Sequence, residues 1–133
     1  MRSLALLPLA AALAGCMATT DQGAEMTAET QSELATAVAG RTAGPAVTCV
    51  NQRDLRGNRS AGDAIVFEGT GNVLYVNRPA GGCPSLNLGR ALRTRTTSTR
   101  LCSGDIATVF DPVSGIEYGG CGLGEFTPYR RVG

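Results

Sequence analysis

Five cysteines are the residues of this chain whose type and spacing most directly imply chemistry. The first, Cys16, closes the run Leu13-Ala14-Gly15-Cys16, which follows Met1-Arg2-Ser3 and an apolar stretch from Leu4 to Leu13. One positive charge, a short apolar segment and a small-residue cleavage site make an export signal. Its Leu-Ala-Gly-Cys ending is a lipobox, in which cleavage leaves the cysteine thiol to carry a diacylglyceryl group at the new N-terminus. The 12 residues from Leu4 to Gly15 fall short of the roughly 20 that span a bilayer. A single acyl chain binds a membrane only reversibly, whereas two or more hold stably. The expectation is a signal peptide over residues 1–15 and a lipid on Cys16 that keeps the chain in the cell envelope, facing the periplasm. Met17 in place of Asp favours the outer over the inner membrane.

The other four cysteines, Cys49, Cys83, Cys102 and Cys121, are separated by 34, 19 and 19 positions, and no two form a C-x-x-C pair. Four-cysteine zinc sites use short paired spacings, so no metal is expected. An even number of cysteines in an oxidising compartment reads as two disulfides. Three connectivities are open, and the nested one, Cys49–Cys121 with Cys83–Cys102, is favoured because it would tie the first strand to the last.

Much of the usual catalytic machinery is missing. Every basic residue is Arg, and the chain has no Lys and no His. Nothing therefore titrates near neutrality to activate a Ser or Cys nucleophile, and Schiff-base and P-loop lysine chemistry are excluded. Carboxylates remain: Asp63, Asp105, Asp111, Glu117 and Glu125 are the candidates for an acid–base pair, although each also suits a turn or strand end. No D-x-D-x-D-G calcium loop is present. The expectation is a protein that is not an enzyme and needs no cofactor.

The densest basic stretch runs from Arg90 to Arg100. At strand spacing Arg93 and Arg95 share a face, and guanidinium forks bind phosphate and carboxylate oxygens bidentately. Anion binding is expected there, and an exposed strand face that discourages edge pairing would give the same pattern. The segment Gly119–Gly124 resembles a phosphate loop only superficially, because Glu125-Phe126-Thr127-Pro128 starts no helix to bind the anion.

The elements that must position these residues are mostly β. Residues 16–29 read as a flexible acidic tether: residues 17–40 hold four acids and no base, whereas residues 41–133 hold 11 Arg against seven acids. With residues 1–15 removed, the chain is formally neutral, which with the export signal argues against nucleic acid as a partner. Thr30-Gln31-Ser32-Glu33 is a capping box that starts a helix over residues 32–39, ended by Gly40. From Pro45 the strand signals are Ala46–Val50, Leu55–Arg59, Ala64–Glu68, Val73–Asn77, Arg90–Thr97, Asp105–Phe110, Gly115–Tyr118 and Gly124–Thr127. Ala64–Glu68 and Val73–Asn77, joined by Gly69-Thr70-Gly71-Asn72, make the clearest hairpin. The expected fold is mainly β: a small disulfide-stapled β-sandwich or partly open barrel of about seven short strands, preceded by one short helix, within a single β-rich domain over residues 30–133. Its core should draw on Val47, Ile65, Phe67, Leu74, Val76, Leu92, Ile106, Val109, Phe110, Leu123 and Phe126.

Two resemblances add to this reading. The segments Leu34–Arg41, Cys49-Val50-Asn51, Gly82-Cys83-Pro84, Leu101–Asp105 and Gly120–Phe126 resemble an uncharacterised family of small exported proteins of sphingomonad-type alphaproteobacteria, known only as a domain of unknown function. That resemblance implies a shared fold and an exported address, and supplies no activity. Ser114-Gly115-Ile116-Glu117-Tyr118 is similar to the Ser-Gly-x-x-Tyr loop of the membrane-bound inhibitors of animal-type lysozyme, which are β-barrel lipoproteins. That family also uses a lysine-bearing loop, which this chain lacks. The expected function is a non-enzymatic binding or structural module that meets an envelope protein, lipid or glycan. Lysozyme inhibition is the first alternative and a carboxylate-dependent glycan hydrolase, needing two facing acids, is the second.

Overall fold

The computed structural model describes residues 20–83, 85–86 and 90–132. The expected signal peptide and the lipidated Cys16 lie outside the described residues. Among the described residues one helix, α1 (Thr20–Ala37), precedes ten strands: β1 (Arg41–Ala43), β2 (Cys49–Asn51), β3 (Leu55–Ala61), β4 (Ala64–Gly69), β5 (Val73–Asn77), β6 (Ala91–Thr94), β7 (Arg100–Cys102), β8 (Ile106–Phe110), β9 (Glu117–Gly122) and β10 (Phe126–Arg131). All pairings are antiparallel, in a five-stranded sheet ordered β1-β10-β5-β4-β3, a two-stranded sheet β2-β7 and a three-stranded sheet β6-β8-β9. The fold is mainly β and forms no closed barrel. Among the described residues no helix is long and apolar enough to cross a membrane.

The layering follows from strand β4. Its residues Ala64 to Phe67 are all buried, because the five-stranded sheet is covered on both faces. Side chains alternate along a strand. Ala64 and Val66 therefore pack with Leu34, Ala61, Leu74 and Val76, with Ala37 and Val38 of α1 closing that cluster. Ile65 and Phe67 point the other way, into a larger cluster with Val50, Leu92, Leu101, Val109 and Phe126 from the smaller sheets. The Phe67 and Phe126 rings meet there, tilted, with centroids 5.7 Å apart.

The helix begins at Thr20, twelve positions before the expected start at residue 32, so residues 20–29 are helical where a flexible tether is expected. The segment has no regular apolar spacing, but its Ala, Gln, Glu and Met content favours helix residue by residue. Docking of Leu34, Ala37 and Val38 on the sheet stabilises a helix that propensity then extends backwards. Its far end is as expected, with Gly40 at φ +75° turning the chain into β1. A second anchor comes from the β3–β4 turn, where the Gly62 N–H donates to the Glu33 carboxylate at 2.7 Å and Gly62 lies against Thr30.

The strand count rises from about seven to ten. The additional strands include β1 and β7, three-residue pieces whose apolar content is too small to register as a pattern. Two expected core residues face solvent: Ile106, 57% exposed on the outer side of β8, and Val47, which makes only a backbone bridge to Phe126. Leu101 takes a central place instead, fully buried on β7.

All four described cysteines are in disulfides, but not in the nested arrangement. The bonds are Cys49–Cys102 and Cys83–Cys121, which interleave along the chain. The reason is strand pairing. Cys49 and Cys102 are directly opposed in the β2–β7 ladder, their Cα atoms 4.0 Å apart. Cys121 sits on β9 in a different sheet, with its side chain buried toward Cys83. Cys49 has Cys102 as its direct cross-strand neighbour, whereas Cys121 lies in another sheet.

Candidate functional site: the outer face and tip of the β6-β8-β9 sheet

The three-stranded sheet buries Leu92, Ala107, Val109 and Cys121 on its inner side, so the alternate residues face outward. Arg93 lies opposite Thr108, which lies opposite Gly120, and Ala91 lies opposite Phe110, which lies opposite Glu117. Two guanidinium–aromatic stacks cover this face. Arg93 stands 4.3 Å from the Phe110 ring centroid and 3.8 Å from the Glu117 carboxylate, and Arg90 stands 3.5 Å from the Tyr118 centroid. Stacked guanidinia keep their in-plane donors for an incoming acceptor while their planes are held by the rings.

The expected partnership of Arg93 and Arg95 is not built by this strand. β6 ends at Thr94, so the alternation that would align the two arginines stops between them. Arg93 is engaged by Phe110 and Glu117, and Arg95 is exposed just beyond the strand.

Beyond β8 and β9 the connecting loop is held by its own polar groups. The Asp111 carboxylate accepts the backbone N–H groups of Val113 (2.7 Å) and Ser114 (3.2 Å). These two bonds hold the Asp111 carboxyl below the ordinary carboxylate range, and the nearby Arg90 charge acts in the same direction. The Asp111 N–H donates to the Ile116 carbonyl and the Gly115 N–H to the Asp111 carbonyl, each at 2.8 Å. The Ser114 hydroxyl accepts from the Ile116 N–H at 3.3 Å, and Gly115 supplies the left-handed backbone (φ +77°) that the turn needs. The loop displays Val113, 95% exposed, and Ile116, 55% exposed, and Tyr118 at the start of β9 is 38% exposed beside them. A tight Asx turn thus fixes an apolar tip beside two Arg–aromatic stacks, which suits recognition.

The five candidate carboxylates sit on separate elements. Asp63 is in the β3–β4 turn, Asp105 accepts the Cys102 N–H at 2.8 Å, Asp111 ties its loop, Glu117 faces Arg93, and Glu125 precedes β10. No hydrogen bond links any two of them among the described residues, and no group of three metal-ligating side chains converges there.

A second arginine constellation was not legible in the sequence. On the helix-covered face of the five-stranded sheet, beyond the C-terminal end of α1, a cleft of about 560 Å³ is lined by Arg41, Arg56, Arg59 and Arg131. Its acidic side chain is Glu68, which pairs with Arg59 at 2.6 Å. Arg41 and Arg131 are directly opposed across the β1–β10 ladder. The Arg41 guanidinium donates to the carbonyls of Asn72 and Tyr129. Arg41, the Arg56 and Arg59 segment, and Arg131 lie far apart in the sequence, and only the sheet order gathers them.

No family model, curated protein or solved structure matches this chain.

Proposed function

We propose that this protein is a non-enzymatic binding module of a bacterial envelope, held by lipid on Cys16 and contacting a partner protein through the β8–β9 tip. The observation that carries the reading is the tip itself: Val113 is almost fully exposed on a loop locked by Asp111 and Ser114. Holding an apolar side chain in water gains nothing for folding, whereas a loop already ordered binds without the entropic cost of ordering it. Arg and Tyr, which stack beside the tip as Arg90 on Tyr118, are the residue types over-represented where interfaces concentrate their affinity. The lipobox supports the envelope address, and a chain without His and Lys has few of the side chains that most enzymes rely on. Met17 after the cysteine favours the outer membrane.

The test is a comparison of the wild-type chain with Val113→Asp and Tyr118→Ala in intact cells after crosslinking. A specific adduct that both variants lose supports the contact, and an adduct that survives both changes refutes it.

A second reading has its own observation. The segment Ser114–Tyr118, similar to a lysozyme-inhibitor loop, is exposed and rigid, so it has the form of an insertion loop. On this reading the partner is an animal-type lysozyme. Full activity of that enzyme in the presence of micromolar protein eliminates it.

A further inference from the structure

We infer that the cleft at the C-terminal end of α1 is a binding site for a polar ligand carrying two or more phosphate-type negative charges, such as a bisphosphorylated saccharide. This inference is independent of the tip contact, since the cleft lies on the opposite face of the five-stranded sheet from the β6-β8-β9 layer.

Charge is the first argument. Four guanidinia meet one carboxylate, and that carboxylate is taken by Arg59. Arg41 is oriented by two carbonyls, which fix its plane without neutralising it. Arg56 and Arg131 have no ion-pair partner among the described residues. Among the described residues, three positive charges around one cleft therefore have no carboxylate partner. Register sharpens the point: Arg41 and Arg131 face each other directly across β1–β10, and like charges in that position repel. An anion between them converts the repulsion into a clamp.

Geometry is the second argument. Glu68, Leu74 and Tyr129 are directly opposed across β4, β5 and β10. Arg131 lies two positions along from Tyr129, and Arg59 two positions along from Gly57, the partner of Glu68. All these side chains share one face, with Arg41 joined to it through Arg131. Guanidinium forks suit the paired oxygens of a phosphate.

Shape and lining give the ligand class. About 560 Å³ is far more than one inorganic phosphate fills, so the ligand has a body between its anionic groups. The walls are mostly polar, which leaves no channel for an acyl chain. Ala37 and Ala39 bring the carbonyl end of α1 to one wall. The same carbonyl end eases the crowding of the arginines when the cleft is empty of anions.

Titration calorimetry on the full chain in non-ionic detergent tests this, with fructose 1,6-bisphosphate as the probe and inorganic phosphate at matched ionic strength as the comparison. The expected result is one bisphosphate per chain, bound about tenfold or more tightly than phosphate. Arg56→Gln and Arg131→Gln should each weaken it about tenfold, the loss of a charge-assisted hydrogen bond. Arg53→Gln, an exposed arginine outside the cleft, should leave it unchanged, and unaltered melting temperatures show that the variants are folded. Flotation with phosphatidylcholine vesicles, with and without phosphatidic acid, separates a lipid source from a soluble one. Binding of the sugar bisphosphate alone indicates a soluble ligand, and added flotation that Arg131→Gln abolishes indicates a headgroup. Affinities for phosphate and bisphosphate that are equal, or bisphosphate binding unaltered in both cleft variants, overturn the inference.

Discussion

Asn77 is the test of how the β9–β10 connection is held. It is a fully buried polar residue at the end of β5, and both ends of its amide are spent on the backbone of one residue, Gly124. Its Nδ2 donates to the Gly124 carbonyl and its Oδ1 accepts the Gly124 N–H, each at 2.8 Å. Gly124 has no room for a side chain, since a Cβ would lie 2.6 Å from the Arg78 carbonyl oxygen. Asn77→Ala leaves two part-buried peptide groups unpaired, at roughly 1–2 kcal/mol each, so the loss should be about 3 kcal/mol. Asn77→Asp keeps the shape and changes the chemistry. Its second oxygen meets the Gly124 carbonyl, and only a protonated carboxyl can donate there. Burial and that hydrogen bond both favour the neutral form, so the folded-state pKa rises above the unfolded value of about 3.9. The folded variant then holds its proton more tightly than the unfolded chain. Its stability is fully present below about pH 4 and is lost as pH rises through the folded-state pKa. Urea unfolding followed by far-ultraviolet circular dichroism, disulfides intact, measures this for wild type and both variants. Asn77→Asp should cost less than about 1 kcal/mol at pH 4 and approach the alanine variant near pH 8, after subtraction of the wild-type pH dependence. An aspartate penalty that does not grow with pH, or an alanine penalty under about 1 kcal/mol, refutes the reasoning.

Four further outcomes are expected. Non-reducing peptide mapping should link Cys49 to Cys102 and Cys83 to Cys121; cleavage at Arg leaves Cys102 and Cys121 together on residues 101–130, so a second cut at Asp or Glu between them is needed. Removing either bond by paired Cys→Ser changes should cost about 4 kcal/mol on the chain-entropy relation for loops of 53 and 38 residues, read by thermal unfolding. Gly62→Ala should destabilise more than Gly71→Ala: both glycines have positive φ, but only at Gly62 would a Cβ strike Thr30, at 2.5 Å, and the excess should appear as faster amide exchange around Leu34. The Asp111 carboxyl is held down by the Val113 and Ser114 N–H groups, so its support of the tip is present above the ordinary carboxylate pKa and is lost as pH falls through the lowered one. The Val113 and Ser114 amide resonances should therefore titrate with a midpoint below 3.8, and a midpoint at or above that value contradicts the turn.

What was legible in the sequence was local. The β4–β5 hairpin follows from two β-branched runs around Gly69-Thr70-Gly71-Asn72, and Gly71 and Asn72 indeed adopt positive φ. Gly40 ends the helix for the same kind of reason. Cysteine parity implied two disulfides, but their partners depend on which strands are neighbours, and β7 carries too few residues to announce itself. Ile106 looked like core because β8 is apolar, yet the period-two alternation put Ala107 and Val109 inside and Ile106 outside. The arginine-rich stretch from Arg90 drew attention by density alone. The cleft of Arg41, Arg56, Arg59 and Arg131 is assembled by a sheet whose central partners, β10 and β5, are some fifty positions apart in the chain, and no window of sequence contains it.

The central claim is that an ordered apolar tip meets a partner in the envelope, and site-specific photo-crosslinking in living cells measures that most directly. A photoreactive residue at Val113 should give one dominant adduct with an envelope protein, and the same residue at the exposed Asn58 on β3 should not. The adduct should vanish when Asp111→Ala releases the turn. No adduct from position 113, or the same adducts from positions 113 and 58, contradicts the account.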